Sequence, residues 1–325
     1  MKKKNKRGYE NSFAWIFAII AGATIIFLAI YAISNFIGMF KTLRGSESAL
    51  EIGTLLTPFE NSIEEGKLNI IKTREETEIY NDCVESGEFG TQKISVKVNS
   101  KIGKENIKGV PSGFKNRYLF SDDVLKGKEF YVLSKPFDFP FKIGDLIISW
   151  SKDKKYCFVD LRNYQDVKKD VEGGNFGNVV NTTSTRACDE ESIKVCFANP
   201  NNDCNIIVGN NKVMHKEKNK EVFYTLFDED LGLMYAAIFS DPEIYNCQIK
   251  RLAKRAVLLE KLYEQKASLS KSLGGCESIG YLGGELNEYE LTMGEIATSE
   301  NPNINNANMV VSSLEEKNVQ NCELY

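Results

Sequence analysis

The stretch SDPEIYNCQIKRLAKRAVLLEKLYEQKASLSKSLGG, residues 240–275, carries the strongest structural signal after the N-terminal apolar run. Ser240 and Asp241 offer capping oxygens, and Pro242 suits a first helical position because its missing N–H would be unpaired there anyway. Tyr245, Ile249, Leu252, Ala256, Leu259 and Tyr263 then recur at steps of four and three, which lays them along one helical face. The pattern predicts an amphipathic helix over 241–273, stopped at Gly274-Gly275. Lys250, Arg251, Lys254, Arg255 and Lys261 fall on the opposite face. They read as solvated charge or as a docking surface for an acidic partner.

Working toward the N-terminus, the segments between 67 and 226 read mainly as strand. KISVKV at 93–98 alternates apolar and polar residues. LIISW at 146–150 and KYCFVDL at 155–161 flank a Ser-Lys-Asp-Lys turn and predict a hairpin. Residues 164–187 read as a loop, which holds GGNFG and the single N-glycosylation sequon at Asn181. KPFDFPFKIG at 135–144 sets Phe137, Phe139 and Phe141 on one face of an extended chain. They read as a flap over the core or as a partner-binding patch. The last thirty residues open as an asparagine-rich loop and end in a short helical segment.

The N-terminal region sets a direction. Lys2, Lys3, Lys4, Lys6 and Arg7 precede FAWIFAIIAGATIIFLAIYAISNFIGMF, residues 13–40, which holds no charge. The run outlasts a signal peptide's apolar region and outlasts the small-residue cleavage pattern at Ala21-Gly22-Ala23. It therefore predicts an uncleaved transmembrane anchor, with Trp15 and Tyr31 near its two interfaces. The basic flank keeps residues 1–12 cytoplasmic and exports the remainder. Ala14, Ala18 and Gly22 repeat every four residues, a small-residue stripe that permits self-association through the membrane helix.

The organisation expected is a cytoplasmic tail (1–12), an anchor (13–40), a neck broken near Pro58 (41–66), a mainly β region (67–162) and an α+β region (163–325). The fold class is α+β, with an antiparallel sheet and one long helix on the exported side.

Eight cysteines (Cys83, Cys157, Cys188, Cys196, Cys204, Cys247, Cys276 and Cys322) all follow the apolar run. An even count in an oxidising compartment reads as a disulfide framework with up to four bonds, and sequence leaves the pairing open. One pair is local: in IKVCFANPNNDCNIIV, residues 193–208, a hairpin turn would bring Cys196 beside Cys204. With no CxxC and only His215 among histidines, the sequence predicts no metal site and no cofactor.

Net charge is −4, and five of the 41 basic residues lie before the apolar run, so the remainder is acidic and unsuited to nucleic acid. No Walker A loop, GxSxG elbow, HExxH or EF-hand loop occurs. Asp122-Asp123 and Asp228-Glu229-Asp230 read as acidic turns. The expected role is a non-catalytic, membrane-anchored extracytoplasmic binding or scaffold protein. Its partners would be the bilayer and a protein or surface polymer. An anchored carboxylate-dependent hydrolase is the remoter alternative.

SFAWIFAIIAGATIIFLAIYAI at 12–33 and DPEIYNCQIKRLAKRAVLLEKLY at 241–263 resemble segments of uncharacterised, single-span, N-terminally anchored surface proteins of small-genome archaea. The resemblance implies a surface location and no particular activity. Lys6-Arg7-Gly8 ahead of an apolar stretch is similar to a type IV pilin signal, which implies cleavage after Gly8 and a filament subunit. Glu10 would then be the second mature residue, whereas pilins carry a glutamate at the fifth, here Phe13.

Overall fold

The structure is a computed structural model that describes residues 17–33, 68–98, 108–174, 176–197, 203–227, 231–274, 282–320 and 324–325. Helix α1 covers 17–33 and its side chains are largely exposed. Among the described residues no helix is long and apolar enough to cross a membrane. The expected 13–40 span, and with it the single-pass anchoring that exports the remainder, is therefore not supported. Residues 1–16 and 34–67, which include Gly8, Ala14 and the neck, lie outside the described residues.

Two six-stranded mixed sheets form the body. Sheet A contains β1 (Leu68–Val84), β2 (Thr91–Val98), β3 (Ser112–Phe114), β4 (Tyr118–Phe120), β5 (Val124–Asp138) and β6 (Lys142–Ser151), in the order β3-β2-β1-β5-β6-β4. All its pairs are antiparallel except β4 with β6. The alternation read at 93–98 holds, with Ile94 and Val96 buried on one face.

Sheet B contains β7 (Tyr156–Val159), β8 (Val179–Thr182), β9 (Ile193–Cys196), β10 (Ile206–Val208), β11 (Lys212–His215) and β12 (Lys220–Phe223), in the order β12-β11-β10-β9-β7-β8. Its β8-β7-β9-β10 part is parallel, and β11 and β12 complete it antiparallel. The single antiparallel sheet expected from sequence is thus two mixed ones.

The predicted hairpin at 146–161 is split between the sheets. All four residues of β7 are buried, as a strand covered on both faces requires. Such a strand belongs in a parallel array rather than beside β6. The corner at 151–155 is fixed by Asn178, whose amide donates to the carbonyls of Ser151 and Lys152 (3.2 Å each) and accepts from Trp150 Nε1 (2.7 Å).

The expected loop at 164–187 holds helix α2 (Gln165–Glu172) and strand β8. Within GGNFG, Phe176 is buried against Trp150, Tyr235 and Phe239, so this segment plugs the core.

Helix α3 (Gly232–Phe239) is apolar on every side and wholly buried, as a helix lying between layers must be. Its Phe239 stacks on Trp150 of sheet A at 4.3 Å and meets Tyr156 of sheet B edge-on at 4.8 Å. The main core is therefore one aromatic layer shared by both sheets and the helices.

Helix α4 (Pro242–Ser272) has the predicted limits. Asp241 accepts from the Glu243 N–H at 3.1 Å, and Gly274 ends it at φ +71°. Helix α5 (Gly283–Thr298), not foreseen in the sequence, packs beside it. The asparagine-rich tail is helical: Asn303 caps a 3-10 turn at Ile304–Ala307, and helix α6 (Asn308–Gln320) follows.

Candidate functional site

The residues singled out from sequence do not assemble into one site. Phe137, Phe139 and Phe141 are buried, with Phe139 fully so, and Phe141 packs against Tyr263, Tyr289 and Tyr325. They are core, and the partner-patch expectation is corrected. Pro136 pairs with Asp145 of β6 and lies beyond Leu133, the last β5 residue paired with β1 among the described residues.

The basic residues of α4 are divided: Arg251 is buried, Lys250, Lys254 and Arg255 are half-buried, and Lys261 is exposed. Arg251 is completely buried and donates to the carbonyls of Phe89, Phe114, Lys115 and Arg117 and to Gln248 Oε1. Burial lowers its pKa to about 10, so it stays charged at neutral pH. Lys250 pairs with Glu85 at 3.2 Å, Lys254 donates to the Glu85 carbonyl at 2.6 Å, and Lys261 pairs with Glu290 at 3.0 Å. Arg251, Lys250, Lys254 and Lys261 thus brace α4 against the β1–β2 turn, nearby loops and α5.

Three disulfides join Cys83 to Cys247, Cys157 to Cys188 and Cys196 to Cys204; Cys276 and Cys322 lie outside the described residues. The local pairing read at 193–208 holds, but its geometry differs. β9 and β10 run parallel, so Cys196–Cys204 pins a crossover rather than a hairpin. Asn181 is half-buried on β8, the edge strand of sheet B, rather than in an exposed loop. Ala18 is exposed on α1, and nothing lies within 4 Å of a Cβ built on Gly22. Asp122 is engaged by Lys154 at 2.5 Å, and 228–230 are outside the described residues. His215 lies within 2.8 Å of the Ala237 carbonyl, and burial lowers its pKa.

A concave site forms elsewhere, at the carboxyl ends of the parallel strands. β7 connects through α2 to β8 on one side, whereas β9 lies on the other side of β7, so the chain reverses direction across the sheet between them. In open α/β sheets this reversal leaves a crevice that ligands occupy, because the two departing connections diverge to opposite faces.

The β7 end is sharply turned. Asp160 is buried at φ +65°, its N–H bonded to the Thr182 carbonyl at 2.9 Å. Its carboxylate accepts Arg162 Nε and Nη2 at 2.5 and 2.6 Å, a bidentate pairing that neutralises a charge at the sheet end. Gln165 Nε2 donates to the Arg162 carbonyl at 2.6 Å, and Lys169 pairs with Asp166 at 2.7 Å. On the far side the Gly209-Asn210-Asn211 turn between β10 and β11 is held by Gly209 N–H to the Lys212 carbonyl at 2.8 Å.

Between these elements lies a cavity of about 440 Å³. Its polar wall is Asn163, Gln165, Asp166 and Asn210. Its apolar wall is Tyr164, Val167, Phe197, Leu226 and Leu231, with the Tyr164 and Phe197 rings meeting edge to face at 5.0 Å. Partial burial raises the Tyr164 pKa, so its phenol is neutral and available as a donor.

Sequence reading missed this cleft, although two signals pointed to it. YCFV is apolar on both faces where a half-exposed strand would alternate, and GNN is a turn signature. Comparison with protein-family models, with curated proteins and with solved structures returned no match to this chain.

Proposed function

We propose that the chain is a non-catalytic, disulfide-braced binding module whose ligand site is the cleft at the carboxyl ends of β7, β9 and β10. The carrying observation is the position of that cleft at the strand-order reversal of a parallel array, with one wall of amides and one of rings and aliphatic groups. Among the described residues its lining holds no serine, cysteine or histidine, and the one carboxylate among them, Asp166, is paired with Lys169. Binding is the chemistry such a lining supports. A crystallographic fragment screen tests this. Hits concentrated among Asn163, Tyr164 and Asn210 support the reading, and a screen whose hits all lie elsewhere sinks it.

A second reading, a filament subunit, is favoured by one observation. Helix α1 exposes Phe17, Ile20, Phe27 and Ile30 at 58% or more, a surface suited to burial between copies. Sedimentation of the full chain beside Phe27→Lys tests it: assembly abolished by the lysine supports this reading, and a monomeric wild type rejects it.

A further inference from the structure

We infer that the occupant of the cleft is a neutral saccharide unit of one or two rings, an inference that rests on the binding reading above. Charge is the first argument. Among the described residues no lysine or arginine lines the cavity, and the nearby Arg162 and Lys169 are paired with Asp160 and Asp166. The first turn of α2 carries Asp166, which opposes an anion at that helix end. Residues 160–164 contain no glycine, so the backbone cannot approach a pyrophosphate as nucleotide-binding turns do. Phosphates and nucleotides are thereby disfavoured.

The polar wall supplies the second argument. Asn163, Gln165 and Asn210 each present a carbonyl and an NH₂, donor and acceptor together. Hydroxyl groups that both give and take hydrogen bonds match this set. The opposite wall offers Tyr164, a half-buried ring with a polar tip, which suits the C–H face of a sugar above an aromatic plane. Extended peptides are recognised by pairing with a free strand edge. Here the cavity lies at the ends of the inner strands β7, β9 and β10, while the edges of sheet B are β8 and β12. The volume, about 440 Å³, falls toward the small end of small-molecule sites, which run roughly 300–1,000 Å³.

The test is saturation-transfer NMR on the full chain with maltose and N,N′-diacetylchitobiose, run beside AMP and dialanine. The expected result is transfer to at least one sugar. Its affinity should fall roughly fivefold in Asn210→Ala and about tenfold in Tyr164→Ala. Asn210 is exposed, so its variant keeps the test valid if loss of the Tyr164 ring disturbs the fold. Transfer to AMP or dialanine through these residues, with none to the sugars, overturns the saccharide assignment and leaves the cleft a binding site. Sugar binding that ignores both substitutions overturns it as well. Silence from all four probes overturns the saccharide assignment, and an empty fragment screen beside it removes the binding reading too.

Discussion

The two faces of sheet B are covered in different ways. On the inner face Tyr156, Phe158, Val195, Ile206 and Val208 meet the aromatic core and the buried helix α3. On the outer face the alternate residues Cys157, Val159, Cys196 and Ile207 form a small cluster with Cys188 and Cys204. A parallel array needs both faces covered, and helical crossovers are the usual cover. Here the outer connections, 183–192 and 197–205, are shorter than the dozen or so residues a helical crossover takes. Each is pinned instead by a cystine, Cys157–Cys188 for the first and Cys196–Cys204 for the second. Cross-links stand where an apolar helix would otherwise shield the strands.

The contrast is open to direct attack. The largest effect belongs to the inner face. Phe239→Ala, which empties the space between Trp150 and Tyr156, should cost about 4 kcal/mol in urea unfolding. On the outer face, replacing Cys157 and Cys188 together by alanine should cost about 3.5 kcal/mol, from a sequence separation of 31. Replacing Cys196 and Cys204 should cost about 2.5 kcal/mol, because the separation is only 8. If the longer loop proves the cheaper to release, cross-linking entropy is not what holds the outer face.

A smaller effect separates the layers by pH. Cystines do not titrate, whereas Glu260 of α4 is buried and its Oε2 makes no hydrogen bond. Burial, followed by the nearby Glu290 and Glu264, raises its pKa to about 7, against the partial relief of Lys261. The native state therefore holds a proton that the unfolded chain releases near 4.5. Its contribution falls as pH rises from about 4.5 to about 7 and is level above that. Glu260→Gln should remove about 2 kcal/mol of that decline, read as denaturation midpoints at pH 5 and pH 8. A wild-type profile that parallels the variant's would show that Glu260 is ionised throughout. Smallest of all, Asn210→Ala should change stability by no more than about 0.5 kcal/mol, so that any lost binding belongs to the cleft.

Legibility from sequence followed the range of the interactions. The limits of α4 were readable because Asp241, Pro242 and Gly274 act within one turn of their own backbone. Cys196–Cys204 was readable because its partners are neighbours in the chain. Arg251 was misread as surface charge because its carbonyl partners are 134–162 positions away. No local pattern announces that five hydrogen bonds will meet one guanidinium. Helix α3 and the split of β6 from β7 were missed for a related reason. GLMYAAIF and YCFV are apolar on every side, and a short apolar run without periodicity serves a buried helix or strand equally well.

The sequence by itself determined the α+β class, the long capped helix and the disulfide framework as a type of bracing. These follow from spacing, capping chemistry and cysteine count, all local or additive properties. Tertiary structure alone decided that the sheets are two and mixed, that the triple-phenylalanine segment and Arg251 point inward, and that a cleft opens where the strand order reverses. Those depend on which distant strands pair and in which direction. That choice is set by the burial of whole faces, which no stretch of chain achieves alone.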